Sequence, residues 1–112
     1  LYDSNAFWNA HLSPLLRVIV IDNGGGNIFR YIEGPDQDPE LLKWFEAPHG
    51  RDPLALVKSF DLPWREAKDA EALHDGLDWL YGEHAKPAVL VVRTDAELSP
   101  KVLRGYFKKL RD

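Results

Sequence analysis

The sequence predicts an α/β fold in which a doubly wound parallel sheet carries helices on both faces. Three observations lead there. Residues 16–21 (Leu-Arg-Val-Ile-Val-Ile) and 87–92 (Pro-Ala-Val-Leu-Val-Val) are β-branched and almost continuously apolar, the pattern of strands covered on both sides. Between them, Ala70, Leu73, Leu77 and Leu80 recur every three or four residues, which makes one amphipathic helix. The first strand also runs straight into Asp22-Asn23-Gly24-Gly25-Gly26-Asn27, a glycine-rich loop at the carboxyl end of a strand, where α/β proteins hold ligands.

The remaining elements follow from caps and breakers. Asp3 or Ser4 caps a short first helix with Phe7, Ala10 and His11 or Leu12 on one side, ended by Ser13-Pro14. After the glycines, residues 34–39 form a turn-rich break, and Pro39 opens a helix bearing Leu41, Leu42 and Phe45 that stops at Pro48-His49-Gly50. Asp52-Pro53 repeats this start for a helix with Leu54, Val57, Lys58 and Phe60, ending near Asp61-Leu62-Pro63. Residues 64–67 read as a short strand, and Asp69 caps the amphipathic helix. Ser99-Pro100 opens a last helix with Leu103, Phe107 and Leu110 inward and lysines near its end. With no repeat and no linker, residues 1–112 read as a single domain.

Composition removes several functions. The 112 residues carry a net charge of −4, which disfavours nucleic acid and anionic membranes as partners. The absence of Cys excludes disulfides, catalytic thiols and Cys-ligated metals, and suits a cytoplasmic setting. No apolar run approaches the ~20 residues of a membrane span. There is no Met and the chain opens in mid-pattern, so a fragment truncated at its N-terminus is expected.

The loop matches neither the dinucleotide fingerprint nor the phosphate-binding P-loop. It does offer the Asn23 amide oxygen and the backbone of three glycines, a suitable oxygen set for Mg²⁺ and a diphosphate. By composition alone, a plain strand-to-loop turn accounts for it more readily. His11, His74 and His84 lack zinc-ligand spacing, and His49 suits a capping or packing role. Trp8, Trp44, Trp64 and Trp79 read as core or interface anchors, and Lys108, Lys109 and Arg111 as a solvated helix end. Arg30 is the basic residue nearest the loop, with at most a minor role toward an anion.

A strand ending in Asn before glycines and then Ile-Phe is similar to the second half of the thiamine-diphosphate signature, Gly-Asp followed at a distance by Asn-Asn. More narrowly, Leu1-Tyr2-Asp3-Ser4-Asn5 and the stretch from Val18 through Asp22-Asn23-Gly24-Gly25-Gly26-Asn27-Ile28-Phe29 resemble the MenD family, menaquinone-pathway synthases patterned Leu-Tyr-Asp-x-Asn and Asn-Asn-x-Gly-Gly-x-Ile-Phe. Phe45-Glu46-Ala47-Pro48-His49 and the closing strand and helix extend the resemblance over the whole chain.

The resemblance implies the C-terminal thiamine-diphosphate-binding domain of such an enzyme, with thiamine diphosphate and Mg²⁺ (or Mn²⁺) as cofactors. It puts Asn23 and Gly25 on the metal, through side chain and carbonyl respectively. Gly24 and Gly26 shape the loop, Ile28 lies against the cofactor, and Ile28 and Phe29 meet the substrate-derived adduct. Asp22 stands where the first Asn is usual, so its charge must be tied down or face the metal. The Gly-Asp that supplies the carboxylate ligand is absent, and the activating Glu belongs to another domain of a partner subunit. The implied enzyme is a transferase, a homodimer or homotetramer that decarboxylates 2-oxoglutarate and adds the four-carbon unit to isochorismate. No catalytic residue is expected in this segment, which alone would be inactive. Two alternatives stand beside it: another thiamine-dependent decarboxylase or carboligase, and a non-catalytic α/β interaction module.

Overall fold

A computed structural model describes residues 3–32, 34 and 37–111. Leu1 and Tyr2 of the opening motif, and Pro35 and Asp36 of the turn-rich break, lie outside them. The chain groups into two compact units, residues 1–22 with 52–93 and residues 23–51 with 94–112.

The first unit is a three-stranded parallel sheet with helices on both faces. Its strands are β1 (Arg17–Asp22), β2 (Trp64–Ala67) and β3 (Ala88–Arg93), in the order β1-β3-β2. Val20 pairs with Val91 on one side of β3, and Glu66 with the same Val91 on the other. Because side chains alternate across the central strand, β3 feeds two cores. Val89 and Val91 pack with Leu54 and Val57 of one helix (Pro53–Ser59), while Ala88 and Leu90 pack with Ala67 and with Leu80 of another (Ala70–Leu80).

Local chemistry accounts for the helix starts. The helix Pro39–Glu46 of the second unit, α1, has Asp38 as its cap, and the carboxylate accepts from Glu40 N–H at 2.9 Å. Asp52 caps Pro53–Ser59, α2, through Leu54 N–H at 3.0 Å, and Asp69 caps Ala70–Leu80, α3, through Ala72 N–H at 2.8 Å. Each cap satisfies an otherwise orphaned donor, and Pro at the first helical position of α1 and α2 has no N–H to satisfy. Among the described residues no helix is long and apolar enough to cross a membrane.

Three expectations are corrected. The first helix is only a 3-10 turn, Ser4–Trp8, with no side-chain bond from Asp3, so its span falls short of Ser13. β1 is not covered on both sides: it is an edge strand, with Ile19 44% and Ile21 68% exposed. In the last helix, α4 (Leu98–Arg111), Leu103, Phe107 and Leu110 are 40%, 51% and 64% exposed rather than inward. Its apolar residues recur at helical spacing, but they stay substantially exposed. Its start is fixed by Asp95, whose carboxylate accepts from Glu97 and Leu98 N–H and is thereby held below the usual carboxylate range.

Candidate functional site

The glycine-rich loop begins where β1 ends. Asp22, last in the strand, is the charge that had to be tied down, and the first unit ties it to Arg93 at the end of β3. The same guanidinium donates through Nη2 to Asp52 at 2.6 Å and through Nε to Glu66 of β2 at 2.7 Å. Three carboxylates from three elements thus share one cation, with Lys68 3.4 Å from Glu66 as a further counter-charge. Arg93 draws the carboxyls of Asp52 and Glu66 below their ordinary range, and those acids in turn raise Arg93. Asp22 therefore faces an arginine, the first of its two possible roles.

In the second unit the loop folds back on the end of α1. Gly26 N–H donates to the carbonyl of Glu46 at 2.8 Å, Gly25 N–H to the Asn23 side-chain oxygen at 3.3 Å, and Asn27 N–H to the Gly25 carbonyl at 3.0 Å. The two expected metal ligands are thus both acceptors in this turn. Two glycines are required for different reasons. Gly24 has φ +77° with nothing within 4 Å of a would-be Cβ, so its need is conformational, whereas a Cβ on Gly25 would sit 2.8 Å from the Glu46 carbonyl oxygen.

Residues 27–30 continue as a 3-10 turn. Asn27 is only 4% exposed, and its Nδ2 is a buried donor without a partner. Ile28 is exposed, and Phe29 stacks at a tilt on Phe45 of α1 with ring centres 5.0 Å apart. Arg30, read from sequence as a minor contact for an anion, is instead gripped by Glu46, its Nε on one carboxylate oxygen and its Nη2 on the other at 3.0 Å. That pairing raises the Arg30 pKa.

Sequence reasoning did not find Glu46, Arg93 or Asn27. Asp22, standing where the resembled pattern has Asn, signalled that its charge needed a partner, but nothing local pointed to Arg93. His49 makes a local turn, its Nδ1 accepting from Arg51 N–H at 2.9 Å. Of the four Trp residues, Trp79 is partly buried and packs against the core around Leu80 and Leu90, whereas Trp8 and Trp44 are largely exposed. Among the described residues no three His, Cys, Asp or Glu side chains gather as a metal site, so the loop's amide and carbonyl oxygens are the donors a cation would meet there.

No family model matches the chain. Curated relatives do, among them several proteins that carry the name 2-succinyl-5-enolpyruvyl-6-hydroxy-3-cyclohexene-1-carboxylate synthase. The protein of that name from Flavobacterium johnsoniae is 36% identical over 110 residues, 98% of this chain and 20% of that protein. The one from Porphyromonas gingivalis is 36% identical over 107 residues, 96% of this chain and 18% of that protein. The one from Desulfotalea psychrophila is 34% identical over 95 residues, 84% and 17% respectively. The chain spans about a fifth of the length of the curated relatives it matches. On these identities, held across nearly its whole length, the chain belongs to the 2-succinyl-5-enolpyruvyl-6-hydroxy-3-cyclohexene-1-carboxylate synthase family, MenD, as a homologue of one segment of those enzymes.

Proposed function

We propose that this chain is the segment of such a synthase that anchors thiamine diphosphate through Mg²⁺ (or Mn²⁺), and that residues 1–112 act together as its diphosphate-binding domain. The enzyme decarboxylates 2-oxoglutarate and joins the remaining four-carbon unit to isochorismate.

One observation carries the reading. The charged side chains at the two ends of the loop in sequence are already paired inside their own units, Asp22 with Arg93 and Arg30 with Glu46, while Asn23 and Gly25 offer neutral oxygens. Neutral oxygens attract a hard cation and repel an anion, so a diphosphate is held through the metal and not by a basic side chain. Asn23 Oδ1 would exchange its long 3.3 Å contact for the cation, and the Gly25 carbonyl has a second lone pair beyond the one Asn27 N–H uses. The orphaned Asn27 Nδ2 fits a loop that expects a further acceptor.

When bound, thiamine diphosphate supplies an electron sink for the carbonyl carbon of a 2-oxo acid as carbon dioxide leaves. This chain's own residues bind and orient. Asn23 and Gly25 fix the metal end, Gly24 and Gly26 permit the turn, and Ile28 and Phe29 give apolar surface that keeps water from the reacting face. The carboxylate ligand, the activating Glu and the groups that recognise substrate carboxylates come from segments beyond this chain, so the segment alone is inactive and the working enzyme is a dimer or tetramer.

The test is binding by the intact enzyme. Saturating Mg²⁺ with thiamine diphosphate should raise its Tm, since a ligand of the native state stabilises it. Asn23→Ala should weaken cofactor binding at least about tenfold, in the range lost with a metal-site group. An unchanged Tm, or an Asn23→Ala enzyme that binds like the wild type, refutes the reading. Turnover of pyruvate instead of 2-oxoglutarate with isochorismate would move the enzyme to another thiamine-dependent reaction.

A further inference from the structure

We infer that Glu46 is the positioning residue of the cofactor loop: its carbonyl and its carboxylate hold the two ends of residues 26–30 and so set how Ile28 and Phe29 are presented. This rests on the loop function proposed above, and it concerns a residue to which that function gave no role.

The carbonyl end takes Gly26 N–H at 2.8 Å, with Gly25 packed so closely that no Cβ fits beside the same oxygen. The carboxylate end takes Arg30 in a two-point grip, and the side chains are 12% and 24% exposed, so water competes weakly. Between these anchors the turn is closed by Phe29 N–H on the Gly26 carbonyl at 3.4 Å and Tyr31 N–H on the Ile28 carbonyl at 3.0 Å. Phe45, the residue before Glu46, supports Phe29 from the same helix end, and Arg104 of α4 donates to the Arg30 carbonyl at 2.6 Å.

The position of Glu46 argues in the same direction. It is the last residue of α1, where the helix dipole favours a cation and disfavours a carboxylate. Helix energetics alone would place Lys or Arg there. The grip on Arg30 offsets that penalty, and Ala47, in the left-handed region at φ 41°, ends the helix so that the Glu46 carbonyl is left for Gly26.

The experiment uses the intact enzyme with Glu46→Gln, Glu46→Ala, Arg30→Lys and the exchanged pair Arg30→Glu with Glu46→Arg. Amide hydrogen exchange is read without cofactor, and kcat and KM at saturating Mg²⁺ and thiamine diphosphate. Glu46→Ala should speed exchange at residues 26–31 by about tenfold, the low end of what a hydrogen bond to a charged group contributes. It should lower kcat more than it raises KM, with Glu46→Gln and Arg30→Lys in between and the exchanged pair recovering both. Unchanged exchange in that stretch, or a rise shared equally by the β3 amides, overturns the inference. If Glu46→Ala does not fold, the Gln and exchanged-pair variants decide by the same criteria. An enzyme that binds no thiamine diphosphate refutes the proposed function, while the exchange measurement still decides the role of Glu46.

Discussion

Replacing Gly25 with Ala tests the packing of the loop on α1 directly. The added Cβ would lie 2.8 Å from the Glu46 carbonyl oxygen and 3.4 Å from Pro48 Cα, both backbone atoms that cannot rotate away. The first contact is roughly 0.5 Å or more inside ordinary packing distance, so the loop must retreat from the helix end. Overpacking of this kind costs about 1–3 kcal/mol, and the retreat stretches the 2.8 Å bond from Gly26 N–H, worth about 1 kcal/mol more. A total of about 2–4 kcal/mol is expected in urea denaturation. Gly24→Ala is the control: with φ +77° and open space around it, it incurs only left-handed strain of about 1–2 kcal/mol. Gly25→Ala should also weaken Mg²⁺-dependent thiamine diphosphate binding in the intact enzyme, because the Gly25 carbonyl moves with its Cα. A Gly25→Ala protein as stable as Gly24→Ala, with cofactor affinity intact, would refute the geometry described for this turn.

Other substitutions follow from the same contacts. Leu90→Ala, at a fully buried site between β2 and α3, should destabilise by about 2–5 kcal/mol in the same titration. Arg93→Ala should cost about 2 kcal/mol at pH 7 by stranding the mostly buried carboxylates of Asp22 and Glu66. Glu66 and Asp52 titrate below their unfolded values, so the stabilisation they draw from Arg93 is present above about pH 4 and is lost as pH falls further. The deficit of Arg93→Ala relative to the parent should therefore shrink as pH falls below about 4, and a constant deficit would contradict the pairing. Leu103→Ala with Phe107→Ala on α4 should cost less than about 1 kcal/mol in this chain, since both are at least 40% exposed. A loss typical of core residues would show that face to be covered.

The elements with local signals were legible in the sequence. Asp38, Asp52 and Asp69 each announced a helix by capping chemistry, and α3 carried its own apolar stripe. What periodicity reports, however, is which face is apolar and not whether anything covers it. β1 and α4 show the difference: Ile19, Ile21, Phe107 and Leu110 lie where the pattern puts them and remain exposed. Ion pairs are less legible still. Arg93 reaches Asp22 across 71 positions, Asp52 across 41 and Glu66 across 27, and Arg30 meets Glu46 across 16. No window of sequence contains both members of such pairs, so the pairing exists only once the parallel register has brought the ends of β1, β2 and β3 to one edge. Asn23 and Gly25, the loop donors proposed here, need no such long-range pairing to be read, because their pattern, Asn before glycines after a strand, is contiguous.

The Arg93 cluster also explains how a carboxylate can stand beside the loop. On the function proposed above, an unpaired Asp22 one residue before Asn23 would oppose an anionic diphosphate. Paired with Arg93, Asp22 presents a compensated dipole instead, and the guanidinium is held in the first unit by Asp52 and Glu66 as well. Asp22 is then a structural anion that binds β1 to β3 at the point where the chain enters the loop. Arg30 follows the same logic in the second unit, its charge spent on Glu46. Asp22 and Arg30, the charged residues on either side of the loop in sequence, are thus each paired inside their own unit, and on the function proposed above a diphosphate would be held by neutral oxygens through a divalent cation. The proposed function therefore predicts that affinity of the intact enzyme for thiamine diphosphate collapses on chelation of the metal, whereas a site built on free arginines would retain much of it.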